Sequence, residues 1–116
     1  MGIKRVVANI KAERMDGADS FYSDIVGLDI IMDLGWIRTY GSAEQMVVQL
    51  SIAEQGGSNT LVPDLSIEVD DIEEILARVR KSEIEIEYGP VSEPWGVRRF
   101  YVRDPFGKLI NILQHE

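Results

Sequence analysis

The chain has 116 residues, no cysteine, and twenty acidic against twelve basic residues, for a formal charge of -8. That length suits one domain able to bury roughly two thirds of its unfolded surface, and the missing cysteine excludes disulfides, thiolate metal sites and thiol nucleophiles. Scattered acids would repel nucleic acid and favour a cationic partner, while the opening Met1-Gly2-Ile3-Lys4-Arg5-Val6-Val7 has no apolar run for a secretory signal or membrane span, so a cytoplasmic protein is expected.

Lys4 to Lys11 alternates as a strand and Asp16 to Val26 reads as a helix. Strands are expected next at Asp29 to Asp33, Trp36 to Tyr40 and Gln45 to Ala53. Glu54-Gln55-Gly56-Gly57-Ser58-Asn59-Thr60 has the composition of a flexible connector, which divides the chain into module 1-53, linker 54-60 and module 61-116. The second module repeats the plan: a strand over Leu61 to Val69, then a helix opened by Asp70-Asp71 and running to about Lys81. That helix has Arg78, Arg80 and Lys81 in its last turn, where cations suit the helix dipole. Further strands follow at Ile84 to Tyr88, Val97 to Arg103 and Lys108 to Leu113. The order is βαβββ twice, an α+β protein.

Alternation sorts the side chains by face. Val6, Ala8 and Ile10 form an apolar face that leaves Val7 and Asn9 opposite; Val48, Leu50 and Ile52 pack, and Gln49 and Ser51 lie across from them. Leu65, Ile67 and Val69 pack, so Asp64, Ser66 and Glu68 project the other way. Ile110 and Ile112, with Phe100 and Val102, pack and turn Leu109, Asn111, Leu113, Arg99 and Tyr101 inward.

Two stretches carry a resemblance. The tail, Trp95 to Gln114, has alternating runs on either side of Asp104-Pro105-Phe106-Gly107, a hairpin turn in which proline fixes φ and glycine supplies a conformation other residues avoid. Upstream stands Asp19-Ser20-Phe21-Tyr22-Ser23-Asp24-Ile25-Val26-Gly27-Leu28. Found together and in this order, they resemble the vicinal oxygen chelate superfamily of glyoxalase I, bleomycin-resistance and fosfomycin-resistance proteins and extradiol dioxygenases, over essentially the whole chain. The resemblance implies paired βαβββ modules forming a curved, barrel-like mixed sheet with helices outside, and a ligand cavity on the face away from the helices.

Metal-dependent members of that superfamily place His or Glu at four inward strand positions, which here correspond to Val7, Gln49, Asp64 and Asn111. Valine has no lone pair, and neutral amides are weak ligands for transition metals beside imidazole and carboxylate. Rescue through Glu68 or Glu44 would still lack a histidine, since the chain's one histidine is His115 at its end. No metal and no other cofactor is expected.

What the resemblance leaves in the cavity is a ligand-binding set of Val7, Asn9, Gln49, Asp64, Ser66, Glu68, Trp95, Arg99, Tyr101 and Asn111, with Trp36, Tyr40 and Tyr88 as further aromatic walls. Aromatic rings beside a few fixed polar groups suit a planar ligand, and the acidic balance suits a cationic one. Trp36 reads equally as core or dimer interface. Asp64, with Tyr101, is the catalytic candidate: a carboxylate buried against apolar walls has a raised pKa and serves as a general base. The other reading of Asp64 is an ion pair with Arg99 or Arg5, or a solvated strand end. The expected function is therefore a metal-free, homodimeric, small-molecule binding protein of the bleomycin-resistance-like branch, with no nucleic-acid or membrane partner. The alternative is a glyoxalase-like isomerase, epimerase or lyase, either metal-independent through Asp64 and Tyr101 or using substituted metal ligands.

Overall fold

The computed structural model describes residues 2–25, 27–42 and 49–116. Val26 of the expected first helix, the 45–48 part of the expected strand with Val48, and Glu44 lie outside the described residues. Two compact units are present: Val7–Val62, and Pro63–Glu116 together with the start of the chain up to Val6. No helix among the described residues is long and apolar enough to cross a membrane.

Both units repeat one strand plan. In the Val7–Val62 unit, β1 (Ile3–Lys11, of which the part from Val7 onward belongs here) runs parallel to β4 (Gln49–Ala53). Next to β4 lies antiparallel β3 (Ile37–Gly41), and next to that antiparallel β2 (Asp29–Asp33). In the other unit β5 (Leu65–Val69) runs parallel to β8 (Leu109–His115), followed by antiparallel β7 (Val97–Arg103) and β6 (Ile86–Glu93). Each module thus places its first strand against its last, as an α+β repeat with the expected element order.

The helices differ. Asp19–Ile25 is a π-helical segment that buries no side chain, three residues shorter at its start than expected. Helix α1 (Ile72–Lys81) is a regular amphipathic helix: Ile72, Ile75, Leu76 and Val79 recur at the helical spacing and face one core. The Asp71 side chain accepts the Glu74 N–H at 3.2 Å and caps it, and Glu74 pairs with Arg78 one turn on at 2.8 Å. Val69, Phe100, Ile110 and Ile112 close that core from the sheet, with Ile67, Ile86 and Val102 packed against it.

Several face assignments need correction. Val6, Ala8 and Ile10 are exposed, whereas Val7 is buried (53 % against 6 % for Val6 and Val7). Alternation fixes which residues share a face but not which face is covered, and β1 carries apolar residues on both. Leu65 is exposed for a related reason: it opens β5, which starts at Leu65 rather than at Leu61. Strand β6 starts at Ile86 rather than Ile84 and runs on to Glu93, past its expected end at Tyr88. The 54–60 connector is a compact turn, with Gly56 N–H to Thr60 O at 2.8 Å, Thr60 N–H to Gly57 O at 3.0 Å, and Ser58 and Asn59 at positive φ.

The tail hairpin is built as its sequence dictates. Asp104 Oδ1 accepts the Phe106 and Lys108 N–H groups at 2.8 and 2.9 Å, and Gly107 takes φ +78°, which only glycine adopts without strain. This turn sets the β7–β8 register Tyr101↔Asn111 and thereby the polar face described next.

Candidate functional site

Register partners on neighbouring strands share a face with side chains about 5 Å apart. Across the β5-β8-β7-β6 sheet one row reads Ser66, Asn111, Tyr101, Tyr88. It lies opposite the face that packs on α1. Asn111 Nδ2 donates to Ser66 Oγ at 3.1 Å, and its Oδ1 is buried with no hydrogen-bond partner among the described residues. Tyr88 and Tyr101 meet with ring centroids 5.3 Å apart.

Beside this row sits a buried ion pair. Arg99 donates Nε–H to Glu93 Oε2 at 2.7 Å, and the two side chains are only 4 % and 3 % exposed. Tyr88 donates its hydroxyl to the same carboxylate oxygen at 2.9 Å, and Arg99 donates a second bond to Tyr101 Oη at 2.9 Å. The guanidinium carbon stands 5.3, 5.0 and 5.0 Å from the ring centres of Tyr88, Trp95 and Tyr101, within cation–π range. Glu93 was not among the expected site residues. Its signal was available in the sequence: a hairpin closed at Pro94-Trp95-Gly96 pairs Glu93 with Val97 and so sets Arg99 diagonally across from it on the same face.

A third cluster shares Glu68 between Arg5 and His115. Burial alone would raise this carboxyl, but hydrogen bonds from His115 and Arg5, with the Arg5 charge, hold it below the usual carboxylate range. Its folded pKa is thus lower than its unfolded one, so its stabilisation is full above the unfolded value and is lost as pH falls through the folded one. Glu68→Gln is expected to flatten the acid side of the stability profile, read as urea midpoints from about pH 7 to about pH 3. Parallel profiles for the two proteins would refute the assignment.

Asp64 is not an inward base. It lies exposed just before β5, where its carboxylate accepts the Leu109 N–H at 2.9 Å and its own N–H donates to Leu109 O at 2.8 Å. A strand-end position sets this, because the first N–H of β8 needs an acceptor and Asp64 is the neighbour that supplies it. Tyr101 is buried and touches Arg99. Val7, Asn9 and Gln49 belong to the other unit. There Asn9 is in register with Ser51 and Ser51 with Thr39, and the Thr39 and Ser51 hydroxyls bond at 2.6 Å. Tyr40 is fully buried and donates to Asp19, which also accepts from Arg38, so it supports that unit rather than standing as an open wall.

As a metal centre the donor set does not fit. Val7 offers no lone pair, Asp64 is committed to a backbone N–H, and Asn111 presents an amide. Among the described residues no three His, Cys, Asp or Glu side chains converge as a metal would require.

Residues 6–115 match the model of the glyoxalase-like domain. The chain belongs to that family. Solved structures share its fold. A glyoxalase/bleomycin resistance protein/dioxygenase superfamily member from Vibrio splendidus 12B01 superposes with TM-score 0.67 at 20% identity, covering 97% of this chain and 99% of that one. Methylmalonyl-CoA epimerase of Streptomyces coelicolor, in complex with 2-nitronate-propionyl-CoA, gives 0.72 at 14%, over 98% and 96%. A Legionella pneumophila structure described as an NAD-dependent benzaldehyde dehydrogenase gives 0.74 at 17%, over 97% and 100%. No curated protein matches the chain. At these identities the likeness concerns the fold of this glyoxalase-like domain and not its chemistry.

Proposed function

We propose that this glyoxalase-like protein binds a small, flat organic molecule without a metal, as a cytoplasmic homodimer. The observation that carries the reading is the buried row Ser66-Asn111-Tyr101-Tyr88 beside the Arg99–Glu93 pair. Neutral hydrogen-bonding groups, aromatic rings and an internally neutralised charge suit an organic ligand better than an ion. Asp64, exposed and held by a backbone N–H, makes a poor general base, which favours binding over turnover. The dimer is supported by β2, an edge strand of its unit with Ile30, Ile31 and Met32 exposed on both of its faces, since an apolar edge invites a second chain.

Native mass spectrometry of protein purified without affinity tags or chelators tests the ligand, the absence of metal and the dimer at once. The expected spectrum is a dimer carrying an organic adduct and no stoichiometric transition metal. Trp95→Ala, which strips one ring from the Arg99 surroundings, should lose most of the adduct while remaining dimeric. A monomer, one equivalent of metal, or conversion of the adduct to product on incubation would overturn the corresponding part of the reading.

A further inference from the structure

Among the described residues Asn111 carries a buried side-chain acceptor left open: it is 6 % exposed, its Nδ2 is anchored on Ser66 Oγ, and Oδ1 has no partner. A buried acceptor without a donor bears its whole desolvation penalty, so native proteins rarely leave one unless a water or a ligand supplies the donor. Its register partner Tyr101, itself buried beneath Arg99, and beyond that the half-buried Tyr88 place aromatic rings in the same row. Arg99, the cation nearest this row, is already paired with Glu93 and is therefore a poor anchor for an anion.

We infer, on the reading that this face holds the ligand, that the ligand is an uncharged flat N–H heterocycle, such as a lactam, cyclic imide or nucleobase-like ring, that donates its N–H to Asn111 Oδ1. The contact selects by charge as well as by shape. A carboxylate or other oxyanion would bring oxygen lone pairs against the amide oxygen, whereas a neutral N–H meets the acceptor and leaves its ring beside the aromatic row that Tyr101 and the half-buried Tyr88 form. A water donating to Oδ1 would satisfy the same acceptor, and a ligand that reproduces that donor would displace it without loss.

Matched probes test this on the full chain, followed through the amide resonances by proton–nitrogen NMR. The probes are 2-pyridone, N-methyl-2-pyridone with its donor capped, and benzoate as the anion. The expected result is that 2-pyridone shifts the Asn111 side-chain amide together with the Ser66 and Tyr101 backbone amides. It should bind about 3- to 10-fold more tightly than the capped probe, and benzoate should leave these signals unmoved. Asn111→Leu should abolish the preference and Asn111→Asp, which keeps the acceptor, should retain it. Loss of the preference in Asn111→Asp would mean that the oxygen at position 111 is not the acceptor that selects the N–H, and would overturn the inference. Equal affinities of the two pyridones at these resonances would also overturn it while leaving the ligand face in place. No shift along the row with any of the three would remove the ligand-face reading as well. The comparison of probes on the unaltered protein requires no variant to fold.

Discussion

Arg99→Met will destabilise the protein by about 3–5 kcal/mol, because it leaves the Glu93 carboxylate charged, buried and short of its main donor. The neighbouring bonds fail with it: Tyr101 Oη loses the Arg99 N–H, and three aromatic rings lose the cation they surround. Glu93→Leu alone should cost a similar amount by stranding the guanidinium. The double variant should recover most of the loss, since a well-packed apolar pair of similar volume replaces a buried ion pair at little cost. Urea unfolding of the four proteins closes the cycle. Single variants that lose less than about 1 kcal/mol would show that the pair is solvated like a surface bridge.

Gly89→Ala should be nearly as damaging, on the order of 2–4 kcal/mol. Gly89 takes φ +81°, and a Cβ there would lie 2.6 Å from the Arg99 carbonyl oxygen and 3.2 Å from Phe100 Cα, both backbone atoms that cannot swing aside. Strand β6 would have to lift from β7, taking Tyr88 and Glu93 away from Arg99. Gly35→Ala separates the two causes, because Gly35 has φ +89° but nothing within 4 Å of the added atom. Only the backbone preference is lost there, about 1–2 kcal/mol. Equal losses at the two glycines, by thermal or urea unfolding, would show that the close approach to β7 carries no weight.

What could be read from the sequence depended on whether local chemistry decided it. Asp104-Pro105-Phe106-Gly107 specifies its turn through side-chain and φ preferences alone, and β7 at Val97–Arg103 and β2 at Asp29–Asp33 run between the expected ends. Alternation put Arg99, Tyr101 and Asn111 on the face of their strands opposite Phe100, Ile110 and Ile112, and all three are buried there. The same reasoning failed for Val6 and Val7, because alternation does not say which face of β1 tertiary contacts cover. It failed for Asp64 because a residue at a strand end answers to the nearest unpaired N–H before it answers to a face. Glu93 escaped because the glycine and proline at Gly89 and Pro90 interrupt the alternation, which ended the expected strand at Tyr88, while the strand continues across them through a shift in register.

The parallel closure of each unit bears on how the chain comes together. β7 and β8 meet across the short Asp104 turn, but β5 pairs with β8 across a separation of some 45 residues, Leu65 with Ile110. Loop-closure entropy makes the near contacts fast and the far one slow. The tail hairpin is thus able to form first and serve as the template on which β5 docks. Until β8 emerges from the ribosome, β5 has no partner on that side, and Ser66 cannot meet Asn111.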